Sequence, residues 1–279
     1  MSHRDLKTGL FISFFVFLLP SFGSAIERST AAGAREAALS QAVVALPGAF
    51  AVFHNQAFLT ECKNYEVNLS CRQPWFIQGY LQNALSLVCP IPAAVMAVGV
   101  SQSSVADYKE SNIGISIAKK LSGKLSAGIL INYFNLNFPE NGSGKGSVQV
   151  DGGIGYTHSK HLIFGFHLRN IADSGIETFQ YRLSFPLMVS GGVSLMLTGQ
   201  ILMVAEVVFD KVNLLGFRNG LEYRLLECFY LRGGISTNPF QHAFGLGYRW
   251  NLLQMDFALV HHEILGFTPT LSFNINICK

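Results

Sequence analysis

Charge is the scarcest commodity in this 279-residue chain: only 13% of its residues are Asp, Glu, Lys or Arg, against roughly 25% in an ordinary soluble domain. The formal net charge of +3 is too small to suit a polyanionic partner, so nucleic acid is excluded as a ligand class. Long apolar runs are also missing. The one conspicuous run, LFISFFVFLL from Leu10 to Leu19, is about half of the ~20 residues a spanning helix needs. Arg4 and Lys7 precede it, and Pro20 and the small residues Gly23-Ser24-Ala25 follow it. That order reads as a cleavable secretory signal over residues 1–25, cut after Ala25.

Chemistry is equally sparse. The five cysteines, Cys62, Cys71, Cys89, Cys228 and Cys278, show no C-x-x-C spacing and do not pair off evenly. A disulfide framework is possible only in part, and several of them read as small apolar fillers. His261-His262-Glu263 invites a metal, but neighbours on a strand point to opposite faces, so a loop or interface position is expected. Gly152-Gly153-Ile154-Gly155 has no helix pattern after it and reads as a Gly-rich strand that gives curvature or room, not as a phosphate loop. No nucleophile elbow, carboxylate pair or metal-ligand spacing is present. An enzyme is not expected, and no cofactor is implied.

What the chain has instead is alternation. In YLRGGISTNPFQHAFGLGYRW, Tyr230 to Trp250, residues Phe244, Leu246, Tyr248 and Trp250 share one parity, while Ala243, Gly245, Gly247 and Arg249 share the other. Period two is the signature of strands, whose successive side chains point to opposite faces. The pattern recurs in Ile113, Ile115 and Ile117, in Phe164 and Phe166, and in Leu271, Phe273 and Ile275. Fourteen strands of roughly ten residues are expected after about Asn64. Short links (Pro90 to Pro92, Lys119 to Gly123, Ser159-Lys160, Thr198-Gly199, Leu226 to Cys228, Trp250 to Leu252) roughly alternate with longer polar ones. The longer links are Gln102 to Ser111, Asn137 to Gly146, Ile171 to Arg182 and Lys211 to Arg218.

That rhythm, a nearly uncharged apolar face and aromatics near strand ends (Tyr133, Tyr156, Tyr248, Trp250) predict an all-β fold: a transmembrane antiparallel β-barrel of about 14 strands. A closed barrel is also what lipid demands of exported β-chains, because every backbone polar group must be paired. The second parity then faces the lumen, with Glu222, Arg224, Arg232, Arg249 and Asp256 as candidate lumen-facing charges. A turn centred on Glu227 would set Glu222 opposite Arg232 and Arg224 opposite Tyr230, where opposite charges stabilise the register. Filling of the lumen is the plainer role for such a pair; a selectivity site is the sharper one. Before the strands, Ala31 to Leu59 is Ala-rich. A short helix, a break near Pro47-Gly48 and a further turn or two from Ala49 to Phe58 are expected there.

Four ordered blocks carry a resemblance: REAALSQAVVALPGAFAVFHNQAFL (Arg35 to Leu59), NIGISIAKKLSGKLSAGILINYFN (Asn112 to Asn135), Tyr230 to Trp250, and HHEILGFTPTLSF (His261 to Phe273). In these the chain resembles the PorV/PorQ-like branch of the FadL-type outer-membrane barrels of Gram-negative bacteria. The resemblance implies a fourteen-stranded barrel whose N-terminal segment enters or closes the lumen: signal 1–25, plug or hatch 26–62, barrel 63–279. Where relatives carry an Asn-Pro-Ala-Gly-like plug motif, this chain has Asn55, Gln56, Ala57 and Phe58, without the Pro and the Gly. The chain stops at Ile277-Cys278-Lys279 rather than on the aromatic residue common in such barrels. The resemblance implies outer-membrane lipid as surroundings and two alternative tasks. One is binding or moving a small hydrophobic ligand. The other is a scaffold or shuttle for secreted proteins and the type IX secretion machinery.

Overall fold

A computed structural model describes residues 32–106, 108–137, 145–177, 182–185, 187–210 and 214–277. The expected signal 1–25 and Cys278 lie outside the described residues. The chain forms, in order, helix α1 (Ala34–Ala38), two single-turn 3-10 segments (Ala49–Phe53 and Gln56–Glu61), then β1 (Tyr65–Arg72), β2 (Leu81–Ile91), β3 (Ala94–Val105), β4 (Tyr108–Lys120), β5 (Leu125–Asn137), β6 (Lys145–Thr157) and β7 (Leu162–Arg169). A small hairpin, β8 (Gly175–Glu177) with β9 (Arg182–Ser184), follows. Then come β10 (Met188–Met196), β11 (Ile201–Asp210), β12 (Leu214–Arg224), β13 (Phe229–Ser236), β14 (Gln241–Trp250), β15 (Leu253–His262) and β16 (Gly266–Ile277).

Fourteen of these strands close into one antiparallel barrel in which β1 pairs with both β2 and β16, and β7 pairs directly with β10. Closure leaves the ladder without an edge, so backbone donors and acceptors are met within the wall. Alternation sorts the side chains. Ile113, Ile115 and Ile117 on β4 and Ile129 and Ile131 on β5 stand outward and are half or more exposed, while Ser116, Ala118, Leu130 and Asn132 point in and are buried. An apolar outer belt of this extent would be untenable in water and matches a hydrocarbon surround. Tyr65, Tyr156, Tyr248 and Trp250, all exposed, lie at strand ends on one rim, where amphipathic rings suit the membrane interface. Tyr133 lies toward the other rim.

One rim turns tightly at residues 92–93, 121–124, 158–161, 197–200, 225–228 and 251–252; it is called the short-turn rim below, and the opposite edge the loop rim. Two links expected to be long are mostly strand. β3 runs to Val105 and β4 starts at Tyr108, and β12 starts at Leu214. Polar residues on both faces there (Gln102, Ser103, Ser104, Lys109, Glu110, Ser111) have the composition of a loop, yet the ladder continues through them. A strand that projects beyond the membrane meets water on both faces and loses its alternation without losing its hydrogen bonds. Residues 138–144 of another expected long link lie outside the described residues. The link after β7 carries the β8–β9 hairpin. Cys62, Cys71, Cys89 and Cys228 are free thiols, so no partial disulfide framework joins these four.

Candidate functional site

The lumen is occupied by the segment before β1. Ala-rich sequence permits this, because small side chains let α1 approach the wall: Ala34, Ala37 and Ala38 pack on Ala243, Ala258 and Val260. Inward glycines mark the rest of its path. A Cβ at Gly128 would lie 2.6 Å from the backbone carbon of Gln56, and one at Gly155 would lie 2.9 Å from the ring of Phe58. At Gly165 it would run into the carbonyl of Val44, and at Gly220 it would sit 2.8 Å from Leu39. The Gly-rich run at 152–155 therefore supplies room for the plug: Gly153 meets Asn55 and Gly155 meets Phe58.

Two kinds of contact hold this plug. Toward β2–β6 the contact is apolar: Phe50, Val52, Phe53, Phe58 and Leu59 form one buried cluster with Val88, Val95, Ala97, Ala118 and Leu130 of the wall. Toward β11–β15 apolar packing, of Leu39, Ala42, Val43 and Leu46 on Leu202 and Val204 and of α1 on Ala243, Ala258 and Val260, is joined by ionic contacts. Arg35 grips Glu222 with both Nε (2.8 Å) and Nη2 (3.0 Å). Glu222 also accepts from Arg232 Nε at 2.6 Å, and Arg232 Nη1 donates to Asp256 at 2.6 Å. Arg232, Glu222 and Asp256 are all buried. The fork of a guanidinium suits such two-oxygen contacts, and the pairing offsets the cost of burying each charge. Glu206 makes a second anchor: one carboxylate oxygen accepts the N–H groups of Val43 (2.7 Å) and Val44 (2.8 Å), and the other accepts from Arg218 at 3.4 Å. Arg218 also donates to the carbonyl of Gln41.

Asn55, Gln56, Ala57 and Phe58 sit at the turn between these contacts and are 1% exposed or less. Asn55 caps the following 3-10 turn by accepting from the N–H of Ala57, while its amide nitrogen donates to the carbonyls of Val44 (2.7 Å), Ile154 and Phe166 (both 3.3 Å). One carboxamide thus ties the plug to itself and to two wall strands. Within the plug, burial pushes the Glu36 carboxyl up to about 7, against the pull of neighbouring Arg35, and its Oε2 has no hydrogen-bond partner. Burial likewise drives the His54 imidazole down to about 3, so it stays neutral beside the Ala32 carbonyl.

Toward the loop rim a second apolar cluster lies at the end of β5. Phe134 and Leu136, on inward positions of β5, pack against Ile176 of β8 and Phe185, with the rings of Phe134 and Phe185 edge to face at 5.3 Å. Asn170 pins this hairpin. Its N–H donates to Asp151 of β6 at 2.8 Å, its amide nitrogen to the carbonyls of Ser174 and Phe185, and its carbonyl oxygen accepts from Ser174.

Of the five sequence-derived lumen charges, Glu222, Arg232 and Asp256 meet in one buried chain, and the register does set Glu222 opposite Arg232 and Arg224 opposite Tyr230. Arg224 and Arg249 share the inward parity but lie at strand ends on the short-turn rim and are exposed. Arg224 donates to the Gly199 carbonyl of the neighbouring turn, and Arg249 to Gln254. Arg249 also lies over the ring of inward Tyr230 at 5.4 Å; parity gives the face of both, and position along the strand leaves them at the rim. Arg35, Glu206, Arg218, Asp151 and Asn170 were not foreseen. Glu206 and Arg218 were available from parity alone; Arg35 and Asn170 lie off the strands and carry no such signal. His261 stacks on His242 at 6.3 Å and lies 4.6 Å from Phe267, at the loop rim. Among the described residues no three His, Cys, Asp or Glu side chains group as metal ligands.

No protein-family model and no curated protein sequence matches the chain. Solved structures do. The CymD monoaromatic hydrocarbon channel superimposes with a TM-score of 0.65 at 14% identity, over 89% of this chain and 98% of that one. The toluene transporter TbuX of Ralstonia pickettii gives 0.65 at 12% identity, over 88% and 98%. A FadL homologue of Pseudomonas aeruginosa gives 0.64 at 11% identity, over 88% and 98%. At these identities the likeness is one of fold.

Proposed function

We propose that this barrel moves small hydrophobic molecules across the outer membrane of a Gram-negative bacterium, in the manner of the FadL-type channels, with residues 32–62 as the plug that shifts to let them pass. The observation that supports this reading best is the apolar seat of the plug. Phe50, Phe53 and Phe58 fill the lumen against Val88, Val95, Ala97 and Leu130, a surface on which an apolar molecule could replace the aromatic rings contact for contact. The plug's remaining contacts are Ala, Val and Leu packing on β11, β14 and β15 and a few polar anchors, which can be exchanged without breaking the wall. The fold shared with the hydrocarbon channels points the same way.

A second task, a scaffold for secreted proteins, follows from the PorV/PorQ-like resemblance alone, and none of the described features favours it. Both tasks can be read in one experiment: the full chain expressed in outer membranes of a host lacking its own FadL-type channel, with uptake of radiolabelled toluene and oleate as probes. Uptake several-fold above the empty membrane, raised further by Arg35→Ala, is the expected result. Uptake no faster than the empty membrane in both forms, with secreted proteins co-purifying in stoichiometric amounts, would replace transport by the scaffold.

A further inference from the structure

The tight turns of the short-turn rim are not alike. Those at residues 92–93, 197–200, 225–228 and 251–252 read Pro-Ala, Leu-Thr-Gly-Gln, Leu-Leu-Glu-Cys and Asn-Leu, without a lysine or an arginine. The cations beside two of them, Arg224 and Arg249, have the inward parity and donate to Gly199 and Gln254. Lysines gather instead at the foot of β4–β7. Lys119, Lys120 and Lys124 surround the β4–β5 turn, and Lys160 lies in the β6–β7 turn between His158 and His161, all of them exposed. The two turns adjoin: the N–H of Thr157 donates to the carbonyl of Lys124 at 2.8 Å, and Leu125 is the cross-strand partner of Tyr156.

No carboxylate answers this charge from the same wall. From Ile113 to Leu136 and from Gly152 to Ala172 the sequence holds no Asp or Glu. Glu61, at the end of the plug, meets Lys120 at 3.0 Å. Among the described residues Lys119, Lys124 and Lys160 have no ion pair. Directly above them the wall is hydrocarbon-facing. Lys119 continues the outward column of Ile113, Ile115 and Ile117 on β4, and Ile129 of β5 and Ile154 and Tyr156 of β6 stand beside it, exposed. Leu121, at the tip of the turn between the lysines, is 61% exposed. An apolar face that ends in cations and a tyrosine ring at one level matches the boundary between acyl chains and headgroups. Tight turns face the periplasm in barrels of this kind, so the headgroups at this level belong to the periplasmic leaflet.

We infer that this foot of the barrel holds an anionic glycerophospholipid of the periplasmic leaflet, with its phosphate among Lys119, Lys124 and Lys160 and its chains along Ile115, Ile117, Ile129 and Ile154. Charge complementarity selects the head: ammonium groups without a protein counter-ion favour an anionic headgroup over a zwitterionic one. The isoleucine column selects the rest, because a soluble anion would satisfy the lysines and leave the ridge unused. Such a lipid would fix the depth of the β4–β7 wall next to Lys120, the residue that ties this rim to the plug through Glu61. The inference concerns the outer foot of the barrel and stands whatever the lumen carries.

The test places the full chain in nanodiscs of phosphatidylethanolamine with a minor fraction of phosphatidylglycerol and reads the retained lipid by native mass spectrometry. Phosphatidylglycerol should be enriched about fivefold over its share of the bilayer. Lys119→Gln, Lys124→Gln and Lys160→Gln together should return it to that share, whereas Arg at the same three positions should keep the enrichment. Lys109→Gln, at the loop rim, should leave it unchanged. A photoactivatable phosphatidylglycerol should label peptides that carry residues 119–124 and 157–161. Heat-modifiable gel mobility reports separately that each variant forms the barrel. Retention of the two lipids in proportion to the bilayer by the folded parent overturns the inference, as does an enrichment that the triple Gln variant keeps. Displacement of the retained lipid by inorganic phosphate also overturns it, since the patch would then be a site for a soluble anion.

Discussion

The two sides of the lumen hold the same plug with different mixtures of contact, apolar on one and apolar joined by ionic on the other. On the β2–β6 side, phenylalanines press into a wall of Ala, Val, Ser and Gly, an interaction without direction that tolerates sliding as long as apolar area stays covered. On the β11–β15 side, Arg35 and the N–H groups of Val43 and Val44 meet Glu222 and Glu206, where displacement of an ångström or two breaks the contact. The directional contacts set where the plug sits, and apolar packing on both sides supplies most of the force that keeps it there. A plug built this way can hinge: it can release one face while the other stays covered.

The largest test of that asymmetry is removal of Arg232, which would leave Glu222 and Asp256 buried with Arg35 as the remaining cation in the chain. Arg232→Met should destabilise the barrel by about 3–5 kcal/mol, measured by urea unfolding in detergent. Arg35→Met, Glu222→Leu, Arg232→Met and Asp256→Leu together should cost much less, because no charge of the network is then stranded. Next comes the apolar side. Phe58→Ala should cost about 3–5 kcal/mol of plug seating if the site cannot collapse, and Gly155→Val about 1–3 kcal/mol by overpacking. Both should show as protease access to residues 32–62 while the barrel itself stays intact.

Arg35→Ala is gentler, about 1–3 kcal/mol, because Glu222 keeps its bond to Arg232. It should lengthen open events in planar-bilayer recordings. An equal or larger response to Arg35→Ala than to Phe58→Ala would reverse the division of labour drawn above.

The smallest effect is on pH. Glu36 is raised to about 7, so the seated plug holds a proton that the released plug gives up. Its contribution is intact below the ordinary carboxyl value of about 4.5, and is lost as pH rises from there through 7. His54 is lowered to about 3, so its contribution is intact above the ordinary imidazole value of about 6.5 and is lost as pH falls through 3. Between about 4.5 and 6.5 the two slopes oppose each other, and seating should be nearly flat with pH. Glu36→Gln should uncover seating that strengthens as pH rises over that window, and His54→Gln seating that weakens. A flat profile in both variants would mean that neither group changes its proton on release.

The barrel was legible because its period is two: Ile113, Ile115 and Ile117, or Phe244, Leu246 and Tyr248, declare a face without reference to any partner. The pairing of Glu222 with Arg232 followed from the same arithmetic, once the turn was placed. What was not legible is whatever leaves the ladder. Arg35 reaches a carboxylate 187 positions away, and Asn170 gathers a hairpin through bonds to Ser174 and Phe185. Neither has a repeat to betray it. The ends of strands failed for another reason. Gln102, Ser104, Lys109 and Ser111 belong to a ladder that continues toward the loop rim, where composition no longer distinguishes strand from loop, and Arg224 and Arg249 have the inward parity but lie exposed at the short-turn rim.

The hairpin pinned by Asn170 packs at the loop-rim end of β5, apart from the plug anchored by Arg35, and, if both close the path proposed above, their pairing can be expressed as a leak rate. If each closure is open roughly one part in a hundred of the time, an ordinary population for a minor conformer, and the two open independently, a continuous aqueous path exists about one part in ten thousand. On the transport reading proposed above, a molecule that opens one closure while the other stays shut, and then the second after the first has reclosed, would cross without a continuous aqueous path. Two weak doors in series give the cell the tightness of one strong door, while each remains easy to open.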